Sequence, residues 1–208
     1  MKKIFLILAL ISIFSCKAQR GSFYETINLD PQDRSEEYAL TGKYYKDLNN
    51  TLNNFTGTFL YTNGSTSFKI VLQKKIESSV NNVYKEDILI GGYQYVENGV
   101  EKINVLNDIN NNYSNGWDYN INANKILTGQ TLGCTDCSIN EKWIRGTIND
   151  RLPNGGGPAT LFIRKVMVGG QEAIKVWIYM EMYAVAPGTP PINSIAYPIG
   201  EEFVLIKQ

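Results

Sequence analysis

The chemistry open to this chain is set first by what it lacks. No histidine occurs among its 208 residues, and histidine is the usual general base near neutral pH and the commonest metal ligand. Ser-His-Asp triads, Cys-His dyads, HExxH zinc sites and Cys2His2 fingers are therefore excluded. Three cysteines remain. Cys134-Thr135-Asp136-Cys137 is a CxxC, but zinc needs about four ligands and no second pair completes the set. Thioredoxin-type chemistry wants the first cysteine at a helix N-terminus after a strand, whereas Gly129 and Gly133 precede this pair among strand signals. A structural disulfide between Cys134 and Cys137 is expected, and so short a ring contributes no more than roughly 2 kcal/mol by loop closure.

Carboxylates are the next option. Glu181 interrupts an apolar strand pattern and Glu201-Glu202 open the last one; a glycosidase would need two such groups facing across a cleft. Alternation turns Glu181 away from Met180 and Met182, which makes it an outward residue. Asp108-Ile109-Asn110-Asn111-Asn112 begins like an EF-hand loop, but Tyr113 stands where glycine is needed and Tyr119 where a bidentate glutamate belongs. No metal and no cofactor are expected, and no GxSxG, Walker A or GxGxxG motif occurs. The same stretch sets Tyr113, Trp117 and Tyr119 among asparagines. Flat aromatic faces beside amides can stack sugar rings or a partner's side chains, so these three are the candidate ligand contacts; the commoner use of such a connection is to cover a barrel end.

The third cysteine lies at the end of a leader. Lys2 and Lys3 form a basic n-region and Ile4 to Phe14 an apolar run broken only by Ser12, too short to span a bilayer. Ile13-Phe14-Ser15-Cys16 then resembles the lipobox of bacterial lipoproteins, in which the cysteine is acylated after cleavage before it. Lipidation at Cys16 is expected, and two or more acyl chains anchor a protein stably. Lys17-Ala18-Gln19-Arg20 has no acidic residue; by resemblance to lipoprotein sorting, the expected address is the outer membrane, facing the periplasm.

These groups need a scaffold, and the composition describes a folded one: 43% apolar, 12% aromatic, 18 glycines, with 20 basic against 20 acidic residues. Balanced charge removes the footprint of a nucleic-acid binder. Three segments are expected: 1–15 as signal peptide, 16–54 as lipidated N-terminus and polar tether, 55–208 as a single β domain. Within the tether, Asp30-Pro31-Gln32-Asp33 carries a cap and a first-turn proline for one short helix, and a flexible tether of about 25 residues has an end-to-end distance of roughly 25–30 Å. From Phe55 onward alternation takes over. Asn63-Gly64 and Asn98-Gly99 supply type I′ turns for two hairpins, and Gly169-Gly170 joins a third. About nine strands are predicted, with prolines at breaks, as an all-β antiparallel meander forming a barrel or a sandwich.

Ser15-Cys16-Lys17-Ala18-Gln19, Tyr45-Lys46-Asp47 with Asn49-Asn50, Phe55-x-Gly57-Thr58-Phe59 and the closing Ile206-Lys207-Gln208 together resemble flavobacterial (Bacteroidetes) lipoproteins carrying a domain of unknown function. The resemblance covers most of the chain and implies lipidation and an all-β domain, with no known activity. Gly57-x-Phe59 also resembles the Gly-x-Trp opening strand of lipocalin-like barrels, with phenylalanine in place of tryptophan. That implies a central cavity for small amphiphiles.

The expected protein is thus a membrane-anchored, non-catalytic β domain that binds a small hydrophobic or glycan ligand in the cell envelope. Two alternatives stay open: an envelope structural protein that docks on another protein, and a carboxylate-based hydrolase.

Overall fold

A computed structural model describes residues 24–30, 41–129, 134–151, 157–180 and 196–208. Eleven strands form one sheet: β1 (Glu25–Asn28), β2 (Lys43–Lys46), β3 (Gly57–Asn63), β4 (Thr66–Val80), β5 (Tyr84–Glu97), β6 (Val100–Asn104), β7 (Ile121–Thr128), β8 (Lys142–Ile148), β9 (Ala159–Val168), β10 (Gln171–Tyr179) and β11 (Glu202–Lys207). Eight of them, in the order β5-β4-β3-β11-β10-β9-β8-β7, are antiparallel neighbours, and β7 returns to β5 through Leu89–Ala123, Ile90–Asn122 and Gly91–Ile121. These eight strands form a closed antiparallel barrel. Barrel, rather than sandwich, is the outcome.

Turn chemistry explains the hairpins. Asn98 and Gly99 both have positive φ (51° and 78°), as a type I′ turn requires. The first hairpin differs from expectation by one residue. Asn63 pairs with Thr66, so the loop is Gly64-Ser65, with only Gly64 at positive φ (58°). That is the II′ arrangement, which places glycine first.

β5 organises the barrel. One edge pairs with β4 along nearly its whole length. The other edge serves three partners in turn: β2 at Lys85 and Glu86, β7 at Leu89 to Gly91, and β6 at Gln94 to Glu97. Gly91 and Gly92 allow this crowding. A Cβ on Gly91 would lie 2.5 Å from the Val71 carbonyl oxygen, and one on Gly92 would lie 2.3 Å from that of Val105.

The expected tether needs correction where it is described. β1 and β2 pair in parallel and join β5, Leu29 and Leu52 are fully buried, and a 3-10 turn, Thr51–Phe55, buries Phe55. Residues 24–30 and 41–54 are thus folded onto the barrel through β5. The predicted short helix lies largely on 31–40, outside the described residues, as do the signal peptide, Cys16 and Glu181.

Inward positions alternate as expected and meet in one core. Phe68 packs edge-on against Tyr93, Tyr95 and Phe203 at 6.2, 5.9 and 5.5 Å between ring centroids, with Phe59, Leu89, Ile163, Ile174 and Val176 around them. An eight-stranded barrel is just wide enough for side chains to fill or for one small ligand. Here side chains occupy the centre, so the cavity implied by the lipocalin likeness is taken up by aromatic rings.

A buried polar group closes the interior at one end. Asp87 accepts hydrogen bonds from the Tyr44 hydroxyl at 2.6 Å, the Asp47 amide at 3.0 Å and the Glu77 amide at 3.2 Å. Asp47 caps the 3-10 turn through the amides of Thr51 and Leu52, and Lys74 reaches it at 2.9 Å. Removing one member strands several desolvated groups. Asp87→Ala is expected to cost about 3 kcal/mol in urea unfolding, and a loss under about 1 kcal/mol would remove this network as a structural pin.

Burial, and then the charge of Asp150, raises the phenols of Tyr93 and Tyr197 far above their ordinary 10.0. Burial, and then the hydrogen bond to Asp87, does the same for Tyr44. The unfolded chain releases these protons near pH 10 while the native barrel keeps them. Stability is therefore unaffected below pH 10 and falls above it. Ultraviolet absorbance should show these tyrosines ionising together with loss of near-UV circular dichroism; independent ionisation in a folded barrel would contradict their burial.

Candidate functional site

With the interior filled, chemistry moves to the outer face. Register builds one row from successive strands: Arg145 on β8 faces Phe162 on β9, which faces Trp177 on β10. Phe162 and Trp177 are stacked, 5.7 Å apart with 27° between planes, and Tyr179 continues the ladder 5.8 Å from Trp177. The Arg145 guanidinium lies 5.8 Å above Phe162. Arg145 and Tyr179 are exposed, Trp177 is half-buried, and Phe162 is buried beneath them.

Trp117 adjoins this row. It sits in a 3-10 turn, Gly116–Asp118, which begins with the Asn115 side chain accepting the Trp117 amide. The Gly116 amide donates to Ser78 Oγ at 2.6 Å, and a Cβ there would lie 2.5 Å from Ile88, so this turn packs directly on the sheet. The indole N–H donates to the buried carboxylate of Glu86, which also accepts from Asn124 Nδ2 at 2.6 Å. Arg151 donates to the Trp117 carbonyl at 2.9 Å. A groove of about 210 Å³ then runs between Trp117, Asn124, Lys125, Arg145, Thr147 and Thr160. Arg145 is common to this groove and to the row.

Two β-bulges make this possible. Register shifts between Lys75 and Ser78 on β4 and between Ala123 and Lys125 on β7. Each extra residue turns a polar side chain toward the anchor: Ser78 beneath Gly116 and Asn124 against Glu86.

The three candidate contacts separate. Trp117 is 36% exposed, whereas Tyr119 is only 2% exposed. Tyr119 packs on Ile88 and Ile90, meets the half-buried Tyr113 edge-on at 4.9 Å, and donates its hydroxyl to the Asn111 carbonyl. Tyr119 is therefore a cover for the outer face of β5, and as a contact it is corrected. Asp108, the start of the EF-hand-like stretch, spends its carboxylate on the Asn120 amide at 2.9 Å and Asn111 Nδ2 at 2.7 Å. Glu201 and Glu202 are both exposed, and Glu202 pairs with Lys175 at 3.0 Å.

The aromatic row was missed as a site, although its signal was present. Trp143-x-Arg145, Phe162-x-Arg164 and Trp177-x-Tyr179 place large aromatic or arginine groups at alternate positions of three successive strands, where a solvent face would ordinarily carry small polar residues.

The disulfide loop lies beside this row. Cys134 and Cys137 are bonded, with Cα atoms 5.7 Å apart. Arg164, buried over the Trp143 ring at 5.6 Å, donates to Asp136 at 2.8 Å and Glu141 and sits 3.3 Å from Cys134 Sγ. Glu141 and then Asp136 raise the Arg164 pKa, and Arg164 holds the Asp136 carboxyl below its ordinary 3.8. Cys134, Asp136 and Cys137 form the one cluster of potential metal-ligating groups among the described residues, but bonded sulfurs offer a cation no thiolate.

Over residues 1–208 the chain belongs to a family of unknown function, DUF6705, in keeping with the domain of unknown function expected from its motifs. No curated protein and no solved structure matches it.

Arg164 makes several bonds to the loop where the disulfide makes one. Reduction with dithiothreitol is therefore expected to lower unfolding stability by no more than about 2 kcal/mol. A loss well beyond that would show that the disulfide, and not Arg164, holds the loop.

Proposed function

We propose that this member of the DUF6705 family is a non-catalytic, lipid-anchored module of the cell envelope that binds a glycan along the outer face of β7 to β10. The observation that carries the reading is the pair of accessible rings Trp177 and Tyr179, seated on the buried Phe162 and continued through Arg145 to the fixed indole of Trp117. Flat rings cover the apolar faces of sugars, while the Arg145 guanidinium and the hydroxyls of Thr147 and Thr160 answer sugar hydroxyls. A glycan is preferred to a small amphiphile because the barrel interior is already filled by its own rings. Anchoring rests on the lipobox-like Ile13-Phe14-Ser15-Cys16, with Cys16 as the acylated residue, and the absence of acidic residues after it supports an outer-membrane address facing the periplasm.

Binding is testable with the full-length protein in detergent micelles, titrated by tryptophan fluorescence with soluble N-acetylglucosamine oligosaccharides, β-glucans and α-glucans. At least one series should bind. Trp117→Ala and Trp177→Ala should each weaken that binding at least about tenfold, or about 1.4 kcal/mol, with unchanged far-UV circular dichroism. Absence of binding in all three series, or wild-type affinity in both variants, overturns the glycan reading.

A further inference from the structure

We propose that one end of the barrel, the end that carries the β4–β5, β7–β8 and β9–β10 connections, seats on the surface of a phospholipid bilayer. This rests on acylation of Cys16 and adds to it a fixed orientation. In a closed antiparallel barrel the connections alternate between ends. Residues 81–83, 129, 134–141 and 169–170, the segment 47–56 and the C-terminus therefore share one end.

The chain also enters there. β1 is parallel to β2 and β2 to β5, so all three start at the same end. The Glu25 amide donates to Gly42 and the Gly42 amide to Val83, each at 2.9 Å, while Lys85 Nζ stands 5.0 Å from the Tyr24 ring. Residue 24 is thus fixed beside the β4–β5 turn. From Cys16 to Tyr24 is eight residues of chain, which span at most about 28 Å. A domain of this size is about 40 Å across, so an anchor at Cys16 cannot let the far end reach the membrane.

The surface at the tethered end suits that neighbour. Leu48, Ile76, Ile139, Met167 and Val168 are 53, 67, 78, 62 and 42% exposed, and they are five of the eight exposed large apolar residues among those described. Ile76 is turned outward by the β4 bulge. Of the other three, Val100 and Tyr179 lie toward the opposite end and Trp117 on the flank. Basic groups here are largely neutralised: Lys142 by Asp30, Lys85 by Glu77, and Lys165 and Lys207 by Glu172, whose carboxyl those two lysines hold down to about 2. The contact is apolar insertion at the headgroup level, with lysine stems lying alongside, and so insensitive to salt. It leaves the row from Phe162 to Tyr179 on the flank, running away from the lipid.

The test uses the acylated full-length protein in vesicles of phosphatidylcholine brominated on its acyl chains, with one tryptophan introduced at an exposed position (I139W, M167W or V100W). Bromine should at least halve the added emission of I139W and M167W and leave that of V100W unchanged, in low and in high salt. Equal quenching at all three positions, quenching of V100W alone, or quenching lost in high salt overturns the orientation. Intact mass separates the two readings. A chain without acyl mass on Cys16 overturns the anchor and this proposal together, whereas an acylated chain without end-specific quenching overturns the orientation alone.

Discussion

Closure of the sheet through β5 is the constraint on which the rest depends. A strand of 14 residues exposes two long edges of backbone donors and acceptors, and unpaired edges template aggregation. β4 covers one edge. The other is shared by β2, β7 and β6 in succession, because the β5–β7 seam is only three residue pairs long. The N-terminal strand β2 thus covers an edge that the seam leaves open. Eight strands leave an interior that side chains alone can fill, and the rings around Phe68 fill it.

A packed interior has a functional consequence. Polar chemistry buried inside must be fully paired, as it is around Asp47, Lys74 and Asp87, since an unpaired buried charge is strongly destabilising. The proposed recognition surface is therefore the outer face. There the two bulges hold Trp117 through Glu86 and Asn124, and Arg164 holds the disulfide loop against Trp143. Both devices hold flat groups in fixed positions, which would lower the entropy cost of the proposed binding.

How much was legible depended on whether the signal was local. The Asn98-Gly99 turn and the alternation of Ile174, Val176 and Ile178 are properties of neighbours in the chain, and both appear as read. β1 and β2 were not legible, because four-residue strands carry too little alternation and both Tyr44 and Tyr45 are buried. The II′ turn at Gly64-Ser65 depended on the register of Asn63 with Thr66, which long-range pairing decides. Tyr119 and Trp117 stand two residues apart in one loop and have opposite fates, because only Tyr119 meets the outer face of Ile88 and Ile90.

The sequence by itself determined the class of the protein: all-β, antiparallel and without histidine chemistry, with a CxxC suited to a disulfide. Those conclusions follow from residue identity and period-two spacing, which need no partner in space. Tertiary structure decided that the sheet closes and that its centre is filled by side chains. It also set the chain entry at residue 24 and joined Arg145, Phe162 and Trp177 across three strands. Each of these depends on which distant strand supplies the next hydrogen bonds, and residues 17 positions apart, such as Arg145 and Phe162, become neighbours only when the barrel is built.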